Sequence, residues 1–194
     1  KLNIYNWSDY IAEDTIANFK AETGIDVTYD VYDSNEILEA KMSAGSSGYD
    51  LVVPTADFLG RGRQAGVYAE MDFSRIPNAK NQSAQVQALA NKQVQEDKSG
   101  LVYMWGTTGI AYNEKKIAER LGDNAPTDSW SLILDPANAA KLADCGIAIL
   151  DAPTDVLPNV ISYLGKPGNS TDPELFEQAG EVLNKVKPHL RYIH

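Results

Sequence analysis

Tyr49-Asp50-Leu51-Val52-Val53-Pro54 is a short apolar run, preceded by the turn-forming Gly45-Ser46-Ser47-Gly48 and closed by proline. Its apolar residues are consecutive rather than alternate, so a strand formed here must be buried on both faces, as interior strands of parallel sheets are. Upstream, Asn35 to Ala44 places Ile37, Leu38 and Met42 on one helical face, and Asp26 to Tyr32 alternates like a strand. Before that, Ile11, Ile16 and Phe19 form a helical stripe that stops at Gly24, a residue suited to a left-handed C-terminal position. A further strand opens the chain and leads into Trp7. The order is βαβαβ, which predicts an α/β fold around a parallel sheet.

Ligands of open parallel sheets bind beyond the carboxyl ends of the strands. Two such ends are Trp7 to Tyr10 after the first strand and Thr55 to Phe58 after the third. Trp7, Ser8, Asp9 and Tyr10 put two aromatic rings and a carboxylate on one short loop, as a small organic cation requires. A ring face attracts an ammonium by roughly 0.5–2 kcal/mol, and a carboxylate offsets the cost of stripping its water. A structural reading stands beside this one, with Trp7 and Tyr10 as core aromatics and Asp9 as the cap of the next helix. Thr55 and Asp57 also read two ways, as pocket groups or as a turn hydroxyl and a cap for the helix from Phe58.

Gly60-Arg61-Gly62-Arg63-Gln64-Ala65 formally matches GxGxxA. A dinucleotide fingerprint needs its first glycine at the strand-to-helix turn, and the strand here ends near Pro54, several residues too early. Phe58 to Ala65 therefore reads as a glycine-weakened helix stopped by Gly66. Ser74 to Lys98 is polar, with a loose helix over Val86, Leu89 and Val94. Leu101 to Asn113 is β-rich and carries Gly106 and Gly109. It reads as a crossover strand with a hinge near 103–113, which sets expected lobes of 1–104 and 105–194, or as a central strand bulged at Gly106.

In the second half, Glu114 to Leu121 reads as a helix, and Asp128 or Ser129 caps one holding Trp130, Leu132 and Ile133. Ala139 to Leu142 continues on a helical period. Gly146 to Asp151 is a buried strand ending in an acid, after which Ala152-Pro153-Thr154-Asp155 opens a helix with proline in its first turn. Asp155 is then either an acid complementing the helix dipole or a ligand group beyond a strand end. Lys166 to Pro173 is a turn-rich loop, and Glu174 to Lys187 an amphipathic helix.

Composition removes other classes. The formal charge is −10, which disfavours a nucleic-acid partner and favours attraction of cations. No apolar run approaches the roughly 20 residues of a membrane helix. Cys145 is the single cysteine, His189 and His194 are the two histidines, and no metal-ligand spacing occurs. HExxH, GxSxG and Walker A patterns are missing, so neither a metal site nor a cofactor is expected. An enzyme would have to use Asp9 and Asp155 as acid and base, with no nucleophile beside them.

YNWSDYI (5–11), ETGIDVTYDVYDSNE (22–36), GYDLVVP (48–54), YMWGTTGIAYN (103–113), DNAPTDSW (123–130) and LDAPTDVL (150–157) together carry a family resemblance. The chain resembles the periplasmic polyamine-binding proteins of bacterial ABC importers, the putrescine and spermidine receptors, within the extracellular solute-binding proteins. The resemblance implies a two-lobe periplasmic-binding-protein fold, type II-like. Its lobes close on a polyamine without chemical change and deliver it to an ABC permease in the inner membrane. A sensing subunit without transport would use the same surface. By the same resemblance Trp7, Ser8, Asp9 and Tyr10 match the first pocket loop. Thr55 matches a hydroxyl usually supplied by Ser, with Asp57 in the same loop, and Asp155 matches a second-lobe acid usually Glu. Asp57 adds a carboxylate where the short-diamine receptors have a small neutral residue. Family members continue well beyond the point reached by His194, with further pocket groups, return crossings and a cysteine suited to pair with Cys145. The expectation is an incomplete fold, an N-terminal part completed by a C-terminal half or another chain.

Overall fold

Strand alternation divides Leu2–Trp7 (β1) into two faces, with Asn3, Tyr5 and Trp7 on one and Leu2, Ile4 and Asn6 on the other. β1 lies between two parallel partners, Val27–Tyr32 (β2) and Leu51–Val52 (β3), in the order β2-β1-β3. Among the described residues β3 is therefore a two-residue edge strand with Leu51 exposed, not the strand buried on both faces that its apolar run predicts. Trp7 pairs with Tyr32, and Tyr5 with Val52, so the aromatic residues share a face. This computed structural model describes residues 1–94 and 100–194. They fall into two units, Lys1–Gly106 and Thr107–His194, and the α/β content expected from the sequence is present in both.

The first unit builds its core on that aromatic face. Helix Asn35–Ser43 (α2) lays Leu38 against Tyr5 and Tyr32, with Trp7, Met42, Tyr49 and Val52 around them. Tyr5 stacks on Tyr49 with centroids 4.6 Å apart and meets Tyr32 edge-on at 4.8 Å. The Lys41 ammonium sits 4.7 Å and 5.0 Å from the Tyr5 and Tyr49 centroids. It donates to the Tyr49 hydroxyl, which donates to Asp30. Buried aromatic pairs of this kind add about 0.5–1.5 kcal/mol each beyond area burial.

Helix Thr15–Thr23 (α1) ends at Gly24, which takes φ 72 as expected. Its start corrects one sequence reading. The N-terminal flanking residue is Asp14, and Asp9 lies in a turn before it at φ 60, so Asp9 caps no helix. Helix Ala56–Gln64 (α3) begins two residues before the expected Phe58, and Gly60 and Gly62 lie inside it. A Cβ at Gly60 would stand 3.4 Å from the Val94 Cα of helix Ala84–Val94 (α4), and one at Gly62 would stand 2.2 Å from the Tyr68 ring. Gly62 serves close packing against Tyr68, whereas a Cβ at Gly60 would make ordinary contact, and neither glycine stands at a strand-to-helix turn. The expected helix within 74–98 is α4, and residues 95–98 of that stretch lie outside the described residues.

The β-rich run 101–113 forms no strand. A strand exists only where its backbone groups find a ladder partner, and neither sheet among the described residues pairs with this segment. Trp105, inside it, is 75% exposed.

The second unit is a helical layer on a short sheet. Its helices are Glu114–Leu121 (α5), Ser131–Leu134 (α6), Pro136–Leu142 (α7), Pro153–Tyr163 (α8) and Pro173–Val186 (α9). Strand Ile147–Ile149 (β4) pairs in parallel with Leu190–Ile193 (β5). Leu132, Ala139, Val160, Ile161, Ala179 and Val186 form the centre of one core. Asn113 caps α5, and Asp135 accepts from the Ala137 and Asn138 amides at the start of α7. Neither Asp128 nor Ser129 is the residue flanking α6, which is Trp130, although the Ser129 hydroxyl accepts from the Ser131 amide. Cys145 is a free thiol.

Candidate functional site

The parallel strands of the first unit end together, and their last residues are stitched to one another by side chains. The Trp7 indole N–H donates to the Val53 carbonyl over 2.8 Å. The Tyr32 hydroxyl donates to the same carbonyl. Burial pushes the Tyr32 phenol well above its ordinary range, which keeps it a proton donor. Asn35, nearly fully buried, accepts from the Thr55 amide over 3.0 Å. The Ser8 amide donates to the Tyr32 carbonyl over 3.2 Å, and the Ser8 hydroxyl donates to Asp33 over 2.7 Å. The ends of β1 and β2 and the segment after β3 therefore form one connected rim.

Trp7 leans one face on Tyr32 at 4.7 Å and approaches Tyr10 at 6.1 Å with 31° between planes. Both readings of Trp7 thus have a physical basis: it packs on the core, and it stays half-buried beside Tyr10. Asp9 lies between them in sequence, exposed and in the left-handed region. That conformation is uncommon for a residue with a side chain, with Asp and Asn the usual exceptions.

Thr55 flanks α3, and its hydroxyl makes no cap bond; it donates instead to Asp57, at 2.5 Å, in the first turn of the helix. This single bond leaves acceptor capacity on both groups, and the Asp57 carboxylate also complements the helix N-terminus. Asp155 belongs to the second unit, in the first turn of α8 just beyond β4, with Pro153 ahead of it. Asn159 donates its amide to the Asp155 backbone carbonyl over 2.7 Å. Six of the seven residues singled out from the sequence therefore lie at strand ends of the first unit, and Asp155 lies at the strand end of the second.

Sequence reasoning missed Asp33, Asn35 and the Val53 carbonyl. Asn35 gave no signal because an Asn at a helix start reads as punctuation, and only the fold shows that its side chain spans to Thr55. Among the described residues no group of His, Cys, Asp or Glu could hold a metal ion. The rim offers carboxylates, hydroxyls and aromatic faces, which suit binding of a cation.

Comparisons with known proteins add the lineage. Residues 14–193 match the profile of the bacterial extracellular solute-binding proteins. The putrescine-binding periplasmic protein PotF of Escherichia coli K12 is 52% identical over 194 residues, covering all of this chain and 52% of its own length. The putrescine-binding periplasmic protein SpuD of Pseudomonas aeruginosa UCBPP-PA14 is 47% identical over 193 residues, covering 100% of this chain and 53% of its own length. Among solved structures, the spermidine/putrescine ABC transporter substrate-binding protein PotD of Streptococcus pneumoniae matches with a TM-score of 0.68 at 30% identity, covering 99% of this chain and 55% of that one. The chain thus spans about half the length of the curated relatives it matches.

Proposed function

Because this chain belongs to the bacterial extracellular solute-binding proteins, we propose that it acts as a polyamine-binding receptor of an ABC import system. Its ligand is putrescine or a related di- or polyamine, its partner an inner-membrane permease, and its place of work the periplasm. The observation that carries this reading is the loop Trp7-Ser8-Asp9-Tyr10. It sets an exposed carboxylate between two aromatic residues at the carboxyl end of a parallel sheet.

An alkyl ammonium needs that combination. Its positive end is held by the carboxylate and by ring quadrupoles, while its methylenes are covered by the ring surfaces. In the proposed site Asp9 meets one ammonium, and Trp7 and Tyr10 flank it. Ser8, Thr55 and Asp57 supply further acceptors along the rim, and within the second unit Asp155, in the first turn of α8, is a further candidate ligand acid. Binding in this reading changes no covalent bond.

The test is calorimetric titration of the protein at its full natural length with putrescine, cadaverine, spermidine, spermine and lysine. Saturable binding of one or more polyamines, and none of lysine, is the expected result. Failure of all four polyamines, or preference for lysine, would overturn the polyamine reading.

A further inference from the structure

The loop that presents Asp9 is held at two ends. At its start the Ser8 amide donates to the Tyr32 carbonyl. At its far end the Tyr103 hydroxyl donates to the Tyr10 backbone carbonyl, ninety-three positions away in sequence. The Tyr103 ring also lies 6.3 Å from the Tyr10 ring, tilted by 44°. Between these two ties Asp9 keeps φ 60, in the left-handed region that Asp enters more readily than most residues.

Tyr103 is itself anchored, although its segment joins no sheet. The Gln87 side chain of α4 donates to the Gly100 carbonyl over 3.0 Å and accepts from the Val102 amide over 3.0 Å. It donates as well to Asn91 one turn along the same helix, over 2.8 Å. One amide therefore clamps the backbone on both sides of position 101, directly before Tyr103. The connection runs from α4 through Gln87 to residues 100–102, from there to the Tyr103 hydroxyl, and so to the Tyr10 carbonyl next to Asp9.

We propose that Tyr103 is a positioning residue for the ligand loop, fixing the Tyr10 carbonyl so that Asp9 and the Tyr10 ring are ordered before the ligand arrives. The assignment rests on the polyamine reading of the same loop. A loop ordered in advance spares the ligand the entropy of ordering it, so loss of the tie appears in affinity while the tertiary core is untouched. Tyr103 is half exposed and belongs to neither hydrophobic core, so the hydroxyl can be removed with the ring kept.

The experiment uses Tyr103→Phe in the protein at its full natural length, with three readouts. Hydrogen exchange of the Ser8 and Tyr10 amides without ligand should accelerate about five- to tenfold, the range set by loss of one net hydrogen bond. The putrescine Kd should rise by about the same factor, and the urea midpoint should stay within error of the wild type. Unchanged exchange would overturn the positioning role whatever the affinity does. Faster exchange with an unchanged putrescine Kd would show a tie that the site does not use, which also overturns it. A wild-type protein that fails to bind putrescine sinks the polyamine reading and this assignment together, whereas binding wild type with unaltered Tyr103→Phe sinks this assignment alone.

Discussion

Trp7 commits its N–H to the Val53 carbonyl and one face to Tyr32, so its role as core aromatic and its proposed role as cation face belong to the same side chain. Trp7→Ala is expected to weaken putrescine binding by more than about 1 kcal/mol, since a ring face and the desolvation it provides are both lost. Titration of the variant checks this, and equal affinity returns Trp7 to packing alone. Tyr32 carries a different consequence. Its phenol is pushed above the ordinary value of 10.0 by burial. Above that pH the unfolded chain releases the proton while the folded one retains it, so the unfolded state binds fewer protons and stability falls as pH rises. Tyr32→Phe should cost about 1 kcal/mol at neutral pH through the lost bond to Val53, yet show a shallower decline from about pH 9 to about pH 11. Urea midpoints across that range measure both, and an identical decline in the two proteins would contradict the assignment. At this scale the sequence identified Trp7, Asp9 and Tyr10 as neighbours on a loop. It could not tell that Asp9 caps nothing, because the turn that separates it from α1 depends on a left-handed residue without a glycine to announce it.

Elements with a strong period or a covalent marker were readable. α2 forms where Ile37, Leu38 and Met42 predicted it, although only Leu38 and Met42 face the core and Ile37 is exposed, and Pro153 marked the start of α8. β5 escaped because Leu190–Ile193 is four residues long and mostly exposed, so neither alternation nor a buried run distinguishes it; pairing with β4 makes it a strand. Residues 101–113 erred in the other direction, since Val, Tyr, Trp and Ile favour strands intrinsically, but propensity without a ladder partner forms none. Two substitutions test how the elements are fixed. Asp135→Ala removes the acceptor of two amides at the start of α7 and should destabilise the second unit by about 1 kcal/mol. Gly62→Ala forces a methyl to within 2.2 Å of the Tyr68 ring and should cost about 1–3 kcal/mol. Thermal or urea unfolding reads both changes, and a neutral Gly62→Ala would mean that Tyr68 yields freely.

Across the whole chain, length and the order of elements set the α/β class, while the division at Gly106 reflects two separate cores, one aromatic and small, the other aliphatic and larger. The first core is readable in part because its strands follow one another in βαβαβ order. The second depends on α8 and α9 lying between the paired strands β4 and β5, a separation that local patterns do not record. The net charge of −10 gives the molecule a field that attracts cations from a distance but assigns no site. Asp155→Asn, which keeps shape and removes charge, is expected to weaken putrescine binding by roughly 2–5 kcal/mol if this acid meets an ammonium. Wild-type affinity in that variant would leave Asp155 as a helix-terminus acid. The most direct measurement is the putrescine Kd of Asp9→Asn against wild type by calorimetry, on the protein at its full natural length. A site built on the loop 7–10 requires a loss of about 2 kcal/mol or more, because the cation keeps its desolvation cost and loses its charge partner; equal Kd values for the two proteins would contradict it.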